Sequence, residues 1–335
     1  MRLIQTSKRC LSLGGGILAL ALTAWGGTIG NVVPIGGQPS DIALDESRGV
    51  LYIANYAGNS IEVMNLADRS IQRSINVGPL PISISLSPDS RLLLVAHYAN
   101  FRPPATPTNI LTLINLSNNT RQTFATTAPP LAVAFGGDGR AIVATTAGIS
   151  LFDPATGISE SLVSSKDLAG KVLPVTPPSA PVQVTESAIG ASRDGRRIYG
   201  SLGDIGFYYD VPTGTIEGFR TGAVPPHAPR TLSVSDDGSY FAYGWTTWDS
   251  RGRFRNNFTN VTGKLEQGTY AVDSVAGIIY AQVPEAVQAG PASPVLQVLD
   301  ADNLTVRESL LLPEGLAGRS VLNAARDVLY SVSES

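Results

Sequence analysis

The chain has 335 residues, 43% of them hydrophobic and 15% charged, enough apolar material for a large buried core. Its net charge is −3, and 20 arginines outnumber four lysines with no long basic run. That balance argues against nucleic-acid partners and against general binding to anionic membranes.

Residues 1–30 read as a secretory signal segment. A basic stretch from Arg2 to Arg9 precedes an apolar run from Leu11 to Trp25, and Leu22-Thr23-Ala24 offers a cleavage site. An uncleaved membrane anchor is the alternative, but the run is short and glycine-rich for a spanning helix. Cys10 precedes the apolar run and so does not read as a lipid-attachment site. Cleavage after Ala24 leaves 21 basic residues against 27 acidic ones and no cysteine. The mature chain is then expected to be secreted, periplasmic or on a bacterial cell surface, without stable membrane insertion.

From residue 31 onward one pattern recurs: an apolar strand, a tight polar turn and a second apolar strand. In the clearest copy Ile42-Ala43-Leu44 leads through Asp45 to Gly49 into Val50-Leu51-Tyr52-Ile53-Ala54-Asn55. Anchors equivalent to Leu44 fall at Leu86, Phe135, Ala191, Val234, Val272 and Leu322, spaced by 42, 49, 56, 43, 38 and 50 residues. The second strand resumes six residues after each anchor, at Val50, Leu92, Ala141, Arg197, Tyr240, Ile278 and Val328. Inner hairpins are therefore expected near 40–55, 82–97, 131–146, 187–202, 230–245, 268–283 and 318–333. Outer strands follow at Ser60–Asn65 and Ser70–Val77, and again at Ile110–Asn115 and Thr120–Ala125, bounded by turn-forming Asp, Asn, Pro and Gly. Blade five is the least regular, with Phe254–Asn260 expected as its third strand.

Periods of about 40–50 residues with several strands each predict an all-β, seven-bladed β-propeller over residues 31–335. The last unit has an inner hairpin and no outer strands of its own. Asn31–Ile35 is expected to dock as its outermost strand and close the ring. Its missing third strand points either to a three-stranded last blade or to a C-terminally truncated fragment with additional C-terminal domains in the parent protein.

Blade order also separates two faces. First-to-second and third-to-fourth turns share one face and are short. Second-to-third loops and blade connections share the other, and are expected to hold the insertions His97–Asn109, Ser164–Glu186, Thr221–Arg230, Trp245–Asn257 and Val283–Pro294. One-sided insertions commonly mark a binding face. Their less ordinary residues, His97, Tyr98, Phe101, Arg102, His227, Arg230, Trp248, Arg251 and Arg253, are the expected ligand-binding set, because Trp, Tyr and Arg anchor recognition. Trp245 is set apart, since its repeat position matches Asn55 and His97. A glycan, an acidic ligand or a protein partner fits such a surface. Two histidines without metal-ligand spacing, and no Gly-x-Ser-x-Gly elbow, give no foothold for a transition metal or a hydrolase, and no cofactor is expected. Oxygen ligands such as Asp204, Asp210 and Glu285 leave a hard-cation site open, although turn aspartates more often cap structure.

Leu51-Tyr52-Ile53-Ala54-Asn55, with Asn59-Ser60-Ile61-Glu62-Val63-Met64-Asn65 and the opening Gly36-Gly37-Gln38-Pro39, resembles the YVTN-type β-propeller repeat. Later units keep the turns Asp138-Gly139, Asp194-Gly195 and Asp237-Gly238 but lose the tetrapeptide. The resemblance implies an exported, seven-bladed bacterial propeller acting as a non-catalytic binding or scaffold module. Among other seven-bladed propellers are lactonase-like and quinoprotein-dehydrogenase-like enzymes with a site at the propeller mouth, which is the competing reading.

Overall fold

The computed structural model describes residues 2–7, 29–98, 109–172, 184–221, 231–258, 268–283 and 294–333, the first of these as backbone only. Strands β1 (Arg2–Ser7) and β2 (Asn31–Pro34) come first. Blade one is β3 (Pro39–Asp45), β4 (Val50–Asn55), β5 (Ser60–Asn65) and β6 (Ile71–Asn76). Blade two is β7 (Pro81–Leu86), β8 (Leu92–His97), β9 (Ile110–Asn115) and β10 (Thr120–Ala125). Blade three is β11 (Pro130–Phe135), β12 (Ala141–Thr145), β13 (Gly148–Asp153) and β14 (Ile158–Ser164), followed by helix α1 (Ser165–Val172). Blade four is β15 (Ile189–Ala191), β16 (Arg197–Leu202), β17 (Ile205–Asp210) and β18 (Thr215–Arg220). Blade five is β19 (Leu232–Val234), β20 (Tyr240–Tyr243), β21 (Thr246–Asp249) and β22 (Phe254–Asn257). Blade six is β23 (Thr269–Asp273), β24 (Ile278–Gln282), β25 (Val295–Asp300) and β26 (Val306–Leu311). The last two strands are β27 (Leu316–Leu322) and β28 (Val328–Ser333).

The chain thus builds six blades from contiguous strands, where the repeat had led to an expectation of seven. The hairpin β27–β28 enters a sheet of mixed origin, ordered β2-β1-β28-β27. Asn31–Pro34 takes the outermost place in it. The expected gap in third position is filled by Arg2–Ser7, the stretch read above as the basic start of a leader. It pairs antiparallel with β28 on one side and β2 on the other. The physical reason is edge chemistry: β28 and β2 would each present unpaired N–H and C=O groups, and an extended hexapeptide satisfies both rows.

Innermost strands β3, β7, β11, β15, β19, β23 and β27 adjoin one another in turn, and β27 meets β3 again. Each apolar cluster spans two neighbouring sheets. Tyr52 and Ile61 of blade one pack with Ile84, Val95 and Ile114 of blade two. Tyr199 of blade four packs with Phe241 and Trp248 of blade five. The mixed sheet is held on both flanks, by Leu316 and Leu329 against Tyr280, Leu296 and Val298, and by Tyr330 and Val332 against Ile42, Leu51 and Ile53. Burial on both faces explains why β4 is buried along its whole length, and why the sequence shows apolar runs there in place of strict alternation.

Blade five differs from the sequence expectation. Gly244 and Trp245 have φ of 60° and 63°, the geometry of a two-residue hairpin turn. Residues 245–257 are therefore no insertion. They form that turn, strand β21, a second tight turn and strand β22, and Phe254–Asn257 is the fourth strand of the blade, not the third. The insertion after Ser164 begins with α1, whose start is capped reciprocally. Ser164 Oγ accepts from Asp167 N at 3.0 Å and donates to Asp167 Oδ2 at 2.7 Å. Leu168 and Ala169 of α1 are buried in the core cluster of blades three and four.

Leu329 is 3% exposed on the flank of the mixed sheet. Leu329→Ala is expected to lower unfolding free energy by about 2–5 kcal/mol in urea titration. A loss below about 0.5 kcal/mol, the size of an ordinary surface change, would mean this sheet does not pack into the ring.

Candidate functional site

The short turns are built alike. In blades two, four and five a serine hydroxyl donates to the turn aspartate: Ser87 to Asp89 at 2.6 Å, Ser192 to Asp194 at 2.7 Å, and Ser235 to Asp237 at 2.8 Å. Each carboxylate in turn accepts a backbone N–H two residues on. Turns of adjacent blades then bond to each other, as in Gly137 N to Gly195 O at 2.8 Å and Arg193 N to Asp236 O at 3.0 Å. Asp236 N continues the chain to Ser274 Oγ at 3.1 Å. Glu46 of blade one accepts Ala324 N at 3.0 Å, across the ring closure.

This ring surrounds a cavity of about 380 Å3 at the short-turn end of the central channel. Its walls carry Glu46, Arg193, Asp236, Asp273 and Arg326 over an apolar lining that includes Val133, Leu232 and Val272. Arg326 Nη2 lies 2.9 Å from Asp236 Oδ2, and its Nε lies 3.1 Å from Asp273 Oδ1. It holds this place at φ 60°, where the equivalent turns at 139, 195 and 238 carry glycine. A side chain there costs on the order of 1 kcal/mol of backbone strain, which the two ion pairs offset. Arg193 reaches Asp236 only at 3.5 Å, and half of its side chain is exposed.

Arg319 forms the floor. Projecting from β27, its Nε lies 3.2 Å from Asp41 Oδ1 on β3. Its Nη1 donates to Ile84 O on β7 at 3.3 Å, and its Nη2 to Ile189 O on β15 at 2.8 Å. One guanidinium therefore ties the mixed sheet to blades one, two and four. Asp41 also accepts Ile42 N at 2.9 Å and Ile84 N at 2.8 Å. Burial pushes its carboxyl above the usual carboxylate range, while Arg319 pulls it back. On the other side of Arg319 lies a second cavity of about 200 Å3, toward the long-loop face. Arg319→Ala leaves a buried carboxylate without its cation and is expected to cost about 3–5 kcal/mol, read by urea unfolding. A cost under about 1 kcal/mol, typical of an exposed pair, would show that the bridge is solvated.

Among the described residues, the members of the expected ligand-binding set do not converge. His97 is fully buried. Its Nδ1 lies 2.9 Å from Pro79 O and its Nε2 lies 2.8 Å from Thr112 Oγ1. The carbonyl can only accept, so Nδ1 carries a proton. His97 clamps the connection entering blade two, as Asn55 clamps that entering blade one through Gly36 O and Gln38 N. Tyr98 is buried in a core cluster. Trp248 is 3% exposed, with its ring 5.6 Å from that of Phe219. Tyr98 and Trp248 pack against neighbouring blades, while His97 bonds within blade two and the connection entering it. Arg251 and Arg253 are exposed on the β21–β22 turn, where Asp249 Oδ1 accepts both backbone N–H groups at 2.8 and 2.9 Å. That turn lies on the short-turn face, and neither arginine lines the channel. Phe101, Arg102, His227 and Arg230 lie outside the described residues, as does Glu285. Among the described residues no three His, Cys, Asp or Glu side chains group to hold a metal ion.

The channel residues had one sequence signal. Three positions before each anchor stand Asp41, Ser83, Ala132, Ala188, Thr231, Thr269 and Arg319. Arginine at that register, among small or acidic residues, marks a side chain that must cross the axis.

Burial holds the His97 pKa below its ordinary value. The folded state thus disfavours a proton that the unfolded chain accepts near pH 6.5, so stability is lost as pH falls through that range. His97→Gln is expected to flatten the drop in Tm between pH 7.5 and 5.5. An equal drop in the variant would place the titration elsewhere.

No family model matches the chain, and no curated protein matches it in sequence. Solved structures do. One is Kuenenia stuttgartiensis hydrazine synthase, at a TM-score of 0.61 and 13% identity, over 95% of this chain and 96% of that one. Another is the Myceliophteria thermophila Cps50 (Swd1) β-propeller domain, at 0.60 and 14%, over 90% and 99%. An enzyme and a propeller domain of a different name share the architecture, so these likenesses carry the fold and no chemistry. The chain is a β-propeller.

Proposed function

We propose that the chain is an exported, seven-bladed propeller of the YVTN type that acts as a non-catalytic recognition module, and that its ligand enters the short-turn mouth of the channel. The seventh blade on this reading is the mixed sheet, supported by its packing against both blade six and blade one. The observation that carries the site is the convergence of Glu46, Arg193, Asp236, Asp273 and Arg326 from separate sheets on one cavity. Three carboxylates and two guanidinium groups meet there over an apolar lining, which suits a partner-protein segment bearing charges of both signs. Arg193 is the group best placed to change partners, because its bond to Asp236 is long and exposed. Export rests on the leader-like composition of residues 1–30. Among the described residues no helix is long and apolar enough to cross a membrane.

The test is fluorescence polarisation with labelled hexapeptides that combine adjacent acidic and basic residues. A bound peptide is expected to lose about tenfold in affinity with Arg193→Ala or Asp236→Asn, as for one charge-assisted hydrogen bond. The double change Arg251→Ala, Arg253→Ala is expected to leave it unaffected. Binding that follows the 251/253 pair, or ignores both sets, would remove the channel mouth as the site.

A further inference from the structure

The charged mouth opens onto a floor. Arg319 spans the axis beneath it, from Asp41 on β3 to Ile84 O on β7 and Ile189 O on β15. A loop would have to enter and return through one opening, whereas a chain end needs room for a single extended strand. The cavity of about 380 Å3 lies near the lower end of ligand-pocket sizes and suits the tip of a chain.

Which end enters follows from the groups at depth. Just before the strand anchors stand Ser85, Ala134, Gly190, Ser233, Ala271 and Val321, and all six line the cavity. The small residues leave the space, and the two serines give it chemistry. Ser85 Oγ accepts Phe135 N at 3.0 Å and Ser233 Oγ accepts Val272 N at 2.9 Å, so each oxygen is engaged by the next blade. Neither hydroxyl gives its own proton to an acceptor among the described residues, and both serines are half-buried. Arg319 turns Nε to Asp41 and gives one N–H of each terminal nitrogen to a carbonyl, which leaves two of its five N–H groups. The acceptors at the rim are taken. Glu46 holds Ala324 N with both oxygens, at 3.0 and 3.1 Å, and Asp236 and Asp273 hold Arg326. Those three carboxylates are matched in the lining by Arg193, Arg319 and Arg326, and Asp41 is not part of it. Unused donors beneath satisfied acceptors fit a group that only accepts. A carboxylate is such a group, whereas an amino terminus would bring more donors.

Given entry at the short-turn mouth, as proposed above, we infer that the entering segment is the free carboxyl terminus of the partner, its carboxylate received by Ser85, Ser233 and Arg319. Hexapeptides with adjacent acidic and basic residues, labelled at the amino terminus, are prepared both as free acids and as carboxy-terminal amides. Each is titrated against the full chain by fluorescence polarisation. The acid is expected to bind about tenfold more tightly than the amide, the worth of one charge-assisted hydrogen bond. Ser85→Ala combined with Ser233→Ala, checked for an intact thermal transition, is expected to abolish that difference. Arg193→Ala, at the rim, is expected to weaken both forms and preserve it. Comparing acid with amide on the unaltered protein involves no change to the fold. Equal affinities there, with Arg193→Ala still weakening both, would overturn the inference and leave the mouth as the site. A preference for the acid that survives loss of both serines would overturn it too. Binding of neither form would remove the mouth itself, and the carboxylate site with it.

Discussion

Sheets that are apolar on both faces cannot stand alone, and in this protein each finds its cover in the two sheets beside it. Tyr52, Phe152, Tyr199, Phe241 and Tyr270 are the large side chains that fill those seams, and all are essentially buried. The requirement is circular: a flank left open anywhere would expose a row of aromatic and aliphatic side chains. Closure through the mixed sheet is thus a condition on the whole ring, and it explains why sequence-distant segments are recruited to it. Contacts local to a hairpin set the blades, while the seams set how many blades can stand together.

The channel inherits its chemistry from the same geometry. Innermost strands converge on the axis with one polar edge each, so their side chains either bond the next sheet or face the cavity. Serines and threonines do the first in blades one, two, five and six. Arg319 satisfies carbonyls of two blades and a carboxylate of a third with one planar group, which an ammonium could not reach in the same geometry. By dividing the axis it turns a tunnel into two chambers of different character. One is ringed with charge, and the other is lined by hydroxyls, acids and aliphatic surface.

Much of the architecture was legible because it is local. A constant six-residue spacing across the turn fixed the starts of the second strands, and Val50, Leu92, Ala141, Arg197, Tyr240, Ile278 and Val328 do begin β-strands. The site was not local. Arg319 bonds carbonyls 235 and 130 residues away in the chain, a relation that no spacing rule reports. His97, Tyr98 and Trp248 are buried, and an aromatic or histidine near a strand end has the same sequence appearance whether it faces a ligand or the protein interior. The aromatic-rich stretch after Trp245 imitated an insertion because a two-residue turn at Gly244-Trp245 carries no proline or polar run. The pairing of Arg2–Ser7 with β28 and β2 was hidden because a basic, leader-like composition carries no strand alternation and its partners lie far along the chain.

The placement of β1 couples two events that are ordinarily independent. Its six residues lie between β28 and β2, so whatever trims Arg2–Ser7 from the protein also withdraws a middle strand and parts the outer strand from its hairpin. Proteolytic maturation at the amino end would then open a strand-wide slot in the wall of the torus, with hydrogen-bonding rows bare on both sides. A processed and an unprocessed molecule would differ in mechanical continuity, and the former would present a groove shaped for an incoming extended peptide.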